Sequence, residues 1–302
     1  MSIASIQSKY PSAIWFDSNH GGTNSGTVDN PYTSIATAIG AITSNANVIA
    51  VLDGSHTISQ SDVGGSGDNS TISLGGTADT LTLVGESTEA VLNTSGSSKG
   101  GMINLRNTNY ELKLETLQIS HDSTVSSQTG LLMVGSKGIT VEGCILKQSS
   151  NTAGASTHRG LFACEGNSSG SSDNLLTVTG SVIQVAASGT FGMLVGGYYV
   201  ADWDGATITG NTIVNVGGAS NNLYGSTTLN PSIFKNNIFQ GDGGSEVLGH
   251  TPATNSNNCF GNTGISSGGT DNLFVDPQFV DATNDDYLLR PTSPCIGAGT
   301  AS

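Results

Sequence analysis

A six-residue pattern recurs between residues 114 and 260, and it limits the chain to folds built from stacked repeats. Most copies read apolar, polar, Gly or Asn, small, variable, apolar; they span residues 114–119, 141–146, 178–183, 208–213, 234–239 and, in degenerate form, 255–260. The third positions fall at 116, 143, 180, 210, 236 and 257, which are between 21 and 37 residues apart. Such uneven spacing is typical of a solenoid with loops of varied length, and it is too irregular for a propeller or a leucine-rich repeat.

Each copy predicts a strand, a short bend and a second strand, because Gly or Asn at the third position adopts a positive φ at low cost. Stacked copies then place equivalent side chains above one another. Two of the resulting ladders are predicted to be apolar and buried: Leu114, Val141, Val178, Ile208 and Phe234 in one, and Ile119, Leu146, Ile183, Ile213, Phe239 and Phe260 in the other. A third ladder, of Asn211, Asn237 and Asn258, is predicted to hydrogen-bond along the stack at the bend.

The pattern weakens towards the N-terminus but still predicts strands at residues 48–52 and 81–84. Before the first of these strands, residues 33–42 carry apolar side chains at helical spacing after Pro31. This spacing predicts a short amphipathic helix that covers the open end of the solenoid. The sequence is therefore divided into an N-terminal anchor and lead-in segment (1–30), the β-helix coils (31–270, with the capping helix at about 31–42) and a C-terminal closing segment (271–302).

The charge of the chain excludes several classes of partner. With 9 basic and 23 acidic residues, the net charge is −14, so we expect no binding to nucleic acid. No apolar stretch is long enough to span a membrane, and residues 1–10 lack the apolar core of a secretion signal. The cysteines, Cys144, Cys164, Cys259 and Cys295, show no C-x-x-C pair; we expect free thiols and no disulfide framework.

Two terminal segments carry a resemblance to a known family. Residues 14–22 (IWFDSNHGG) lead into 30–35 (NPYTSI), and residues 274–281 (FVDPQFVD) lead into 286–299 (DYLLRPTSPCIGAG). Both resemble the opening and closing segments of pectate-lyase-like right-handed parallel β-helix proteins. The resemblance implies an all-β fold, a single-stranded right-handed parallel β-helix. The superfamily includes polysaccharide lyases, glycoside hydrolases, surface adhesins and phage tail spikes, so the fold does not transfer an activity.

The chemistry of the enzymes in this superfamily indicates which residue types to consider for a catalytic or binding site. Lyases of the superfamily bind Ca²⁺ through acidic residues and use Arg or Lys as a base, whereas its hydrolases use paired carboxylates. The sequence offers two outward glutamates at the same repeat position, Glu115 and Glu142; an aromatic and acidic run; and a His-Arg pair near an acid. The predicted catalytic candidates are Asp202, Asp204, Glu142 and Glu165, and the predicted ligand-binding candidates are Trp203, Tyr198, Tyr199, His158 and Arg159.

No cofactor or metal site is predicted. Acids of the closing segment (Asp271, Asp276, Asp281, Asp285 and Asp286) are the residue type that Ca²⁺ prefers, but they match no EF-hand or other calcium-binding repeat.

Three functional hypotheses follow. The first is a structural or adhesive protein of a phage virion (a tail spike, fibre or capsid-surface protein) that is made in the host cytoplasm, binds other virion proteins or self-associates as a trimer, and contacts a cell-surface glycan. The alternative is a polysaccharide lyase or glycoside hydrolase that uses outward-facing carboxylates. A third is a bacterial adhesin on the extracellular surface. The non-enzymatic interpretation is favoured because the chain has only three arginines and its acidic residues form no convergent cluster in the sequence.

Overall fold

In the computed structural model, the chain winds repeatedly through three parallel sheets. The structure describes residues 1–58, 80–95, 103–105, 111–123, 132–134, 138–151, 160–165, 175–185, 193–198, 205–215, 232–241, 254–261 and 269–300. Neighbouring strands of each sheet come from successive coils. This arrangement confirms the predicted parallel β-helix solenoid.

The three sheets differ in length. The first contains β1 (Ile14–Phe16), β2 (Val48–Val51), β4 (Thr80–Gly85), β7 (Glu111–Glu115), β10 (Ile139–Glu142), β13 (Leu175–Thr179), β16 (Gly205–Thr209), β18 (Ser232–Lys235) and β20 (Thr254–Ser256). The second contains β3 (Gly54–Ile58), β5 (Ala90–Ser95), β8 (Gln118–Ser123), β11 (Ile145–Asn151), β14 (Val182–Val185), β17 (Thr212–Asn215), β19 (Ile238–Gln240), β21 (Cys259–Phe260) and β22 (Leu273–Phe274). The third contains β6 (Ile103–Leu105), β9 (Leu132–Val134), β12 (Gly160–Glu165) and β15 (Met193–Tyr198).

Both predicted apolar ladders are present in the described coils. Strand register pairs Leu114 with Val141 and continues through the remaining members of the first ladder to Phe234. The second ladder runs in register from Ile119 to Phe260, and its aromatic end stacks Phe239 on Phe260. Every member of both ladders is at most 4% exposed, so together they form the core of the solenoid.

The predicted asparagine ladder at the bend is confirmed, and its hydrogen bonds all run in one direction. The side-chain oxygen of Asn258 accepts from the backbone N–H of Asn237, that of Asn237 from the N–H of Asn211, and that of Asn211 from the N–H of Ser181. The hydroxyl oxygen of Ser181 in turn accepts from the N–H of Cys144. Each buried bend amide is therefore satisfied by a side chain of the next coil.

The residue before each ladder position adopts a left-handed backbone, as the repeat predicted. The φ angles are +60° at Gly143, +56° at Gly180 and +67° at Gly210, and Asn236 and Asn257 adopt +59° and +57°. Thr116, at the third position of the first copy, adopts +51° as well. Glycine and asparagine tolerate this region best, so backbone geometry explains their place at the third position of the later copies.

Two helices lie at the N-terminal end. Helix α2 (Ile35–Gly40) confirms the predicted capping helix; it begins at its N-cap Ser34, because the preceding Tyr32 is still paired with strand β1. Helix α1 (Ile3–Lys9) lies within the segment interpreted as an anchor. Its Ile6 is fully buried in an apolar cluster with Trp15 and Val84 on the outer face of the first sheet.

The closing segment folds back along the outer face of the second sheet. Strands β23 (Phe279–Asp281) and β24 (Asp286–Leu289) pair antiparallel around a 3-10 turn, Ala282–Asn284, and we call this unit the closing hairpin. Its Phe279 and Tyr287 pack with Val214. Asp285 accepts hydrogen bonds from Lys147 (2.9 Å) and Gln184 (3.1 Å).

One prediction about the cysteines is wrong. Cys259 and Cys295 form a disulfide, with their Cα atoms 6.1 Å apart, although free thiols were expected. Their separation of 36 positions carries no spacing signal, because the fold-back of the closing segment is what brings the two together. Cys144 is a buried free thiol, as expected. The side chain of Cys164 lies outside the described residues.

Candidate functional site

The outward row at the end of the first sheet places the two predicted glutamates side by side. Glu115 and Glu142 are register partners on β7 and β10, and the row continues through Thr179 and Thr209 to Lys235. Glu142 is exposed. The predicted stacking of the two acids on one outer face is thus present in the structure.

Glu115, however, is already engaged. Glu115 is 8% exposed, and its carboxylate accepts hydrogen bonds from Lys9 Nζ and from the Tyr10 hydroxyl, both at 2.7 Å. The hydrogen bond to Glu115 raises the pKa of Lys9, and burial together with the same carboxylate raises the pKa of Tyr10. Hydrolysis by a carboxylate pair needs two acids that both face the sugar. With Glu115 held by the end of α1, Glu142 has no such partner in this row.

Threonines dominate the outer face beyond these acids. Thr177 and Thr179 on β13 are in register with Thr207 and Thr209 on β16, and Thr140 precedes them on β10. All five side chains are half-buried. Each hydroxyl both donates and accepts, so this face offers polar contacts without net charge.

The third sheet brings together two candidates that the sequence had placed in separate groups. Glu165 ends β12, Tyr198 ends β15, and the two residues are direct register partners. Parallel strands lie about 4.8 Å apart, so an acid and an aromatic residue are neighbours at the same edge of this sheet. Nothing in the sequence marked this pairing, because the two residues lie 33 positions apart.

The remaining candidates lie outside the described residues. Tyr199, Asp202, Trp203 and Asp204 follow Tyr198 within six positions, and His158 and Arg159 directly precede β12. The chain order therefore attaches these residues to the two strands that carry Glu165 and Tyr198. Glu142 belongs to a different sheet, so the structure does not join it to this group.

A Ser-His-Asp grouping near the N-terminal cap, which sequence analysis missed, has the wrong geometry for a nucleophile. Buried His56 accepts at Nδ1 from the Ser18 hydroxyl (3.0 Å) and the Ser18 backbone N–H (3.2 Å), while Asp17 lies 3.7 Å from the same nitrogen. Nε2 donates to the carbonyl of Leu52 (2.8 Å). In a catalytic triad the acid and the serine bond opposite nitrogens. Here His56 instead ties the lead-in loop to the first coil.

The described residues show no metal centre and no helix that could span a membrane. No group of three or more His, Cys, Asp or Glu side chains among them is placed to hold an ion. Four of the acids considered for Ca²⁺ accept hydrogen bonds from protein groups: Asp276, Asp281, Asp285 and Asp286. In the same part of the chain, every helix is too short or too polar to cross a bilayer.

We compared the chain with protein-family models, with curated proteins and with solved structures, and none of the three comparisons gave a match.

Proposed function

We propose that this chain is a structural, adhesive β-helix of a phage virion surface, such as a tail spike, fibre or capsid-surface protein, and that it holds a cell-surface glycan without cleaving it. The terminal segments that resemble pectate-lyase-like β-helices support membership of that group.

The observation that carries the glycan contact is the register pairing of Glu165 with Tyr198. An aromatic ring offers a stacking surface to a pyranose, and a carboxylate accepts hydrogen bonds from sugar hydroxyls. The residues that follow Tyr198 in the chain, Asp202, Trp203 and Asp204, are of the same two types. We therefore assign the glycan contact to the edge of the third sheet formed by the ends of β12 and β15.

The engagement of Glu115 supports holding over cleavage. Of the two glutamates in register on the first sheet, only Glu142 is exposed, and Glu115 is neutralised by Lys9. Glu111, the other acid on this outer face, is paired with Lys113 (3.5 Å). A threonine-rich face on which the acids Glu111 and Glu115 are both paired with lysines matches an adhesive surface better than the two-acid site of a glycoside hydrolase.

Glycan-array binding by the purified protein tests the proposal. Tyr198→Ala is expected to weaken binding roughly tenfold, because a ring contact of about 1.5 kcal/mol corresponds to that factor. Glu165→Gln is expected to weaken it as well. Glu142→Gln is the matched control, since it makes the same change on another sheet and should leave binding intact. The proposed site is wrong if no glycan binds, or if all three variants bind like the wild type.

A reducing-sugar assay on the bound glycan separates adhesion from cleavage. We expect no sustained release of reducing ends. Turnover by the purified protein that disappears in Glu165→Gln would replace our proposal with a glycoside hydrolase or lyase. The virion assignment is tested separately by an antibody against the chain, which should label intact phage particles from the source culture.

A further inference from the structure

An exposed segment near the C-terminus is attached to the solenoid by few contacts. We define the tail as residues 294–300, which run across the bends of the last two coils. None of its residues is buried, and Ile296 is 54% exposed. At its start, the N–H groups of Cys295 (3.2 Å) and Ile296 (3.3 Å) bond the hydroxyl and the carbonyl of the buried Ser293. Its polar contacts with the coils are a two-way pair between Asn236 and the backbone of Thr300 (2.8 and 3.0 Å) and a 3.4 Å bond from Asn257 to the carbonyl of Ala298.

The contacts with the coils are weak: the two bonds between Asn236 and Thr300 are open to solvent, where water competes for the same donors and acceptors, and the part-buried bond from Asn257 is long at 3.4 Å. The tail also lacks the apolar burial that stabilises most docked segments. The Cys259–Cys295 disulfide is the one covalent tie between the tail and the coils. It keeps Thr300 close to Asn236 and so gives the exposed hydrogen bonds a high effective concentration.

The closing hairpin, by contrast, is held without the disulfide. Phe279 and Tyr287 are each 8% exposed and pack on Val214 of β17. Asp285 adds a charged contact: burial tends to raise its pKa, but the charge of Lys147 and the hydrogen bonds from Lys147, Tyr287 and Gln184 together outweigh this and lower it. Apolar packing and an ion pair therefore stabilise the hairpin in either redox state.

We propose that the Cys259–Cys295 disulfide is a redox latch that docks the tail selectively, so that thiol reductants release residues 294–300 while the closing hairpin stays in place. A small thiol attacks Sγ of Cys295, because Cys295 is half-buried whereas Cys259 is only 3% exposed, and Cys259 leaves as a thiolate that is then protonated. A second thiol resolves the mixed disulfide. The balance is one protein disulfide and two thiols giving two protein thiols and one small disulfide.

Cys144 does not interfere with this exchange. It is buried, and burial raises the pKa of its thiol to about 11, so almost no thiolate is present at neutral pH. Release of the tail uncovers the bends at Asn236 and Asn257. In a virion assembled in a reducing cytoplasm, the latch closes after lysis; this timing rests on the proposed function, whereas the latch itself does not.

Hydrogen exchange with mass spectrometry tests the latch on the full chain, with and without dithiothreitol. Alkylation mapping first confirms which cysteines are oxidised. On reduction, we expect exchange in peptides of the tail to rise by at least about tenfold, while peptides of the closing hairpin change by less than about twofold. Cys295→Ser in oxidising buffer should match the reduced wild type and should no longer respond to the reductant.

Ile296→Ser is the matched control, because it changes an exposed tail residue but keeps the disulfide, and it should keep the redox response. The proposal is overturned if tail exchange is equal in both redox states, or if Cys259 and Cys295 stay reduced after oxidation. It is also overturned if tail and hairpin lose protection together, since the disulfide would then stabilise the whole end of the solenoid. The wild-type comparison remains decisive even if Cys295→Ser does not fold.

Discussion

Replacing Asn237 by alanine is the sharpest test of how the solenoid is held together. Asn237 is 1% exposed in the middle of the bend ladder. Its amide group donates to the carbonyl of Ile208 (2.7 Å) and to Asn258 Oδ1 (3.0 Å), and its oxygen accepts from the Asn211 backbone (3.1 Å) and side chain (3.0 Å). Asn237→Ala removes all four hydrogen bonds at once.

The size of the effect follows from which groups keep a partner. Asn258 Oδ1 still accepts from the backbone of residue 237, and the Asn211 amide group still donates to the carbonyl of Val178. The N–H of Asn211 loses its acceptor in the buried bend, and the carbonyl of Ile208, near the end of strand β16, loses a donor. At about 1–3 kcal/mol for each unsatisfied group, the free energy of unfolding should fall by about 2–6 kcal/mol. Such a loss is a large part of the stability of an ordinary domain.

Urea unfolding followed by circular dichroism measures this change, and hydrogen exchange in residues 205–241 shows whether it is local, because solenoids can unfold in parts. Asn236→Gly is the matched control. It lies one residue earlier at φ +59°, where glycine is unstrained, and it removes only exposed hydrogen bonds, so we expect a loss below about 1 kcal/mol. The reasoning is refuted if the two variants lose equal stability.

Two further predictions concern the ends of the solenoid. Phe260→Ala should lower the free energy of unfolding by about 3–5 kcal/mol, since the ring is fully buried, whereas Phe274→Ala, at 44% exposure, should cost less than about 1.5 kcal/mol; equal losses in urea unfolding would contradict the stacking argument. At alkaline pH, helix α1 should undock: the pKa values of Lys9 and Tyr10 are raised from 10.5 and 10.0 by folding, so their stabilisation is complete below about pH 10 and is lost as the pH rises further. A red shift of emission from Trp15, which packs against α1, reports this undocking, and an unchanged spectrum between pH 9 and 12 would count against it.

The interior of this protein could be predicted from sequence because stacking repeats one environment in every coil. Once the copies at 141–146 and 178–183 are aligned, the register of Val141 with Val178 and of Leu146 with Ile183 follows, and the structure shows both. The asparagine ladder was predictable for the same reason: three copies carry Asn at one position, and only neighbours in the stack can satisfy its amide.

The positions of helix α1 and of the closing segment on the outside of the solenoid could not be predicted, because neither segment belongs to the sequence repeat. Lys9 meets Glu115 across 106 residues, and Cys295 meets Cys259 across 36, through segments that run along the solenoid and are not wound into it. Their partners are set by where α1 and the closing segment fold back. The candidate site shared this limit: composition identified Glu165 and Tyr198 as candidates, but only the lengths of the intervening coil determine that they are neighbours.

The direction of the bend ladder bears on how the chain is synthesised. Each backbone N–H in the ladder donates to the side chain of an asparagine that comes later in the chain. The acceptor is Asn211 for Ser181, Asn237 for Asn211, Asn258 for Asn237 and Asn272 for Asn258. A chain emerging from the ribosome therefore always carries one unfinished bend, and each coil becomes fully bonded only after its successor has been translated. A premature stop leaves the same defect permanently at the new end, so truncated products should begin to unravel from their last coil and be open there to proteolysis.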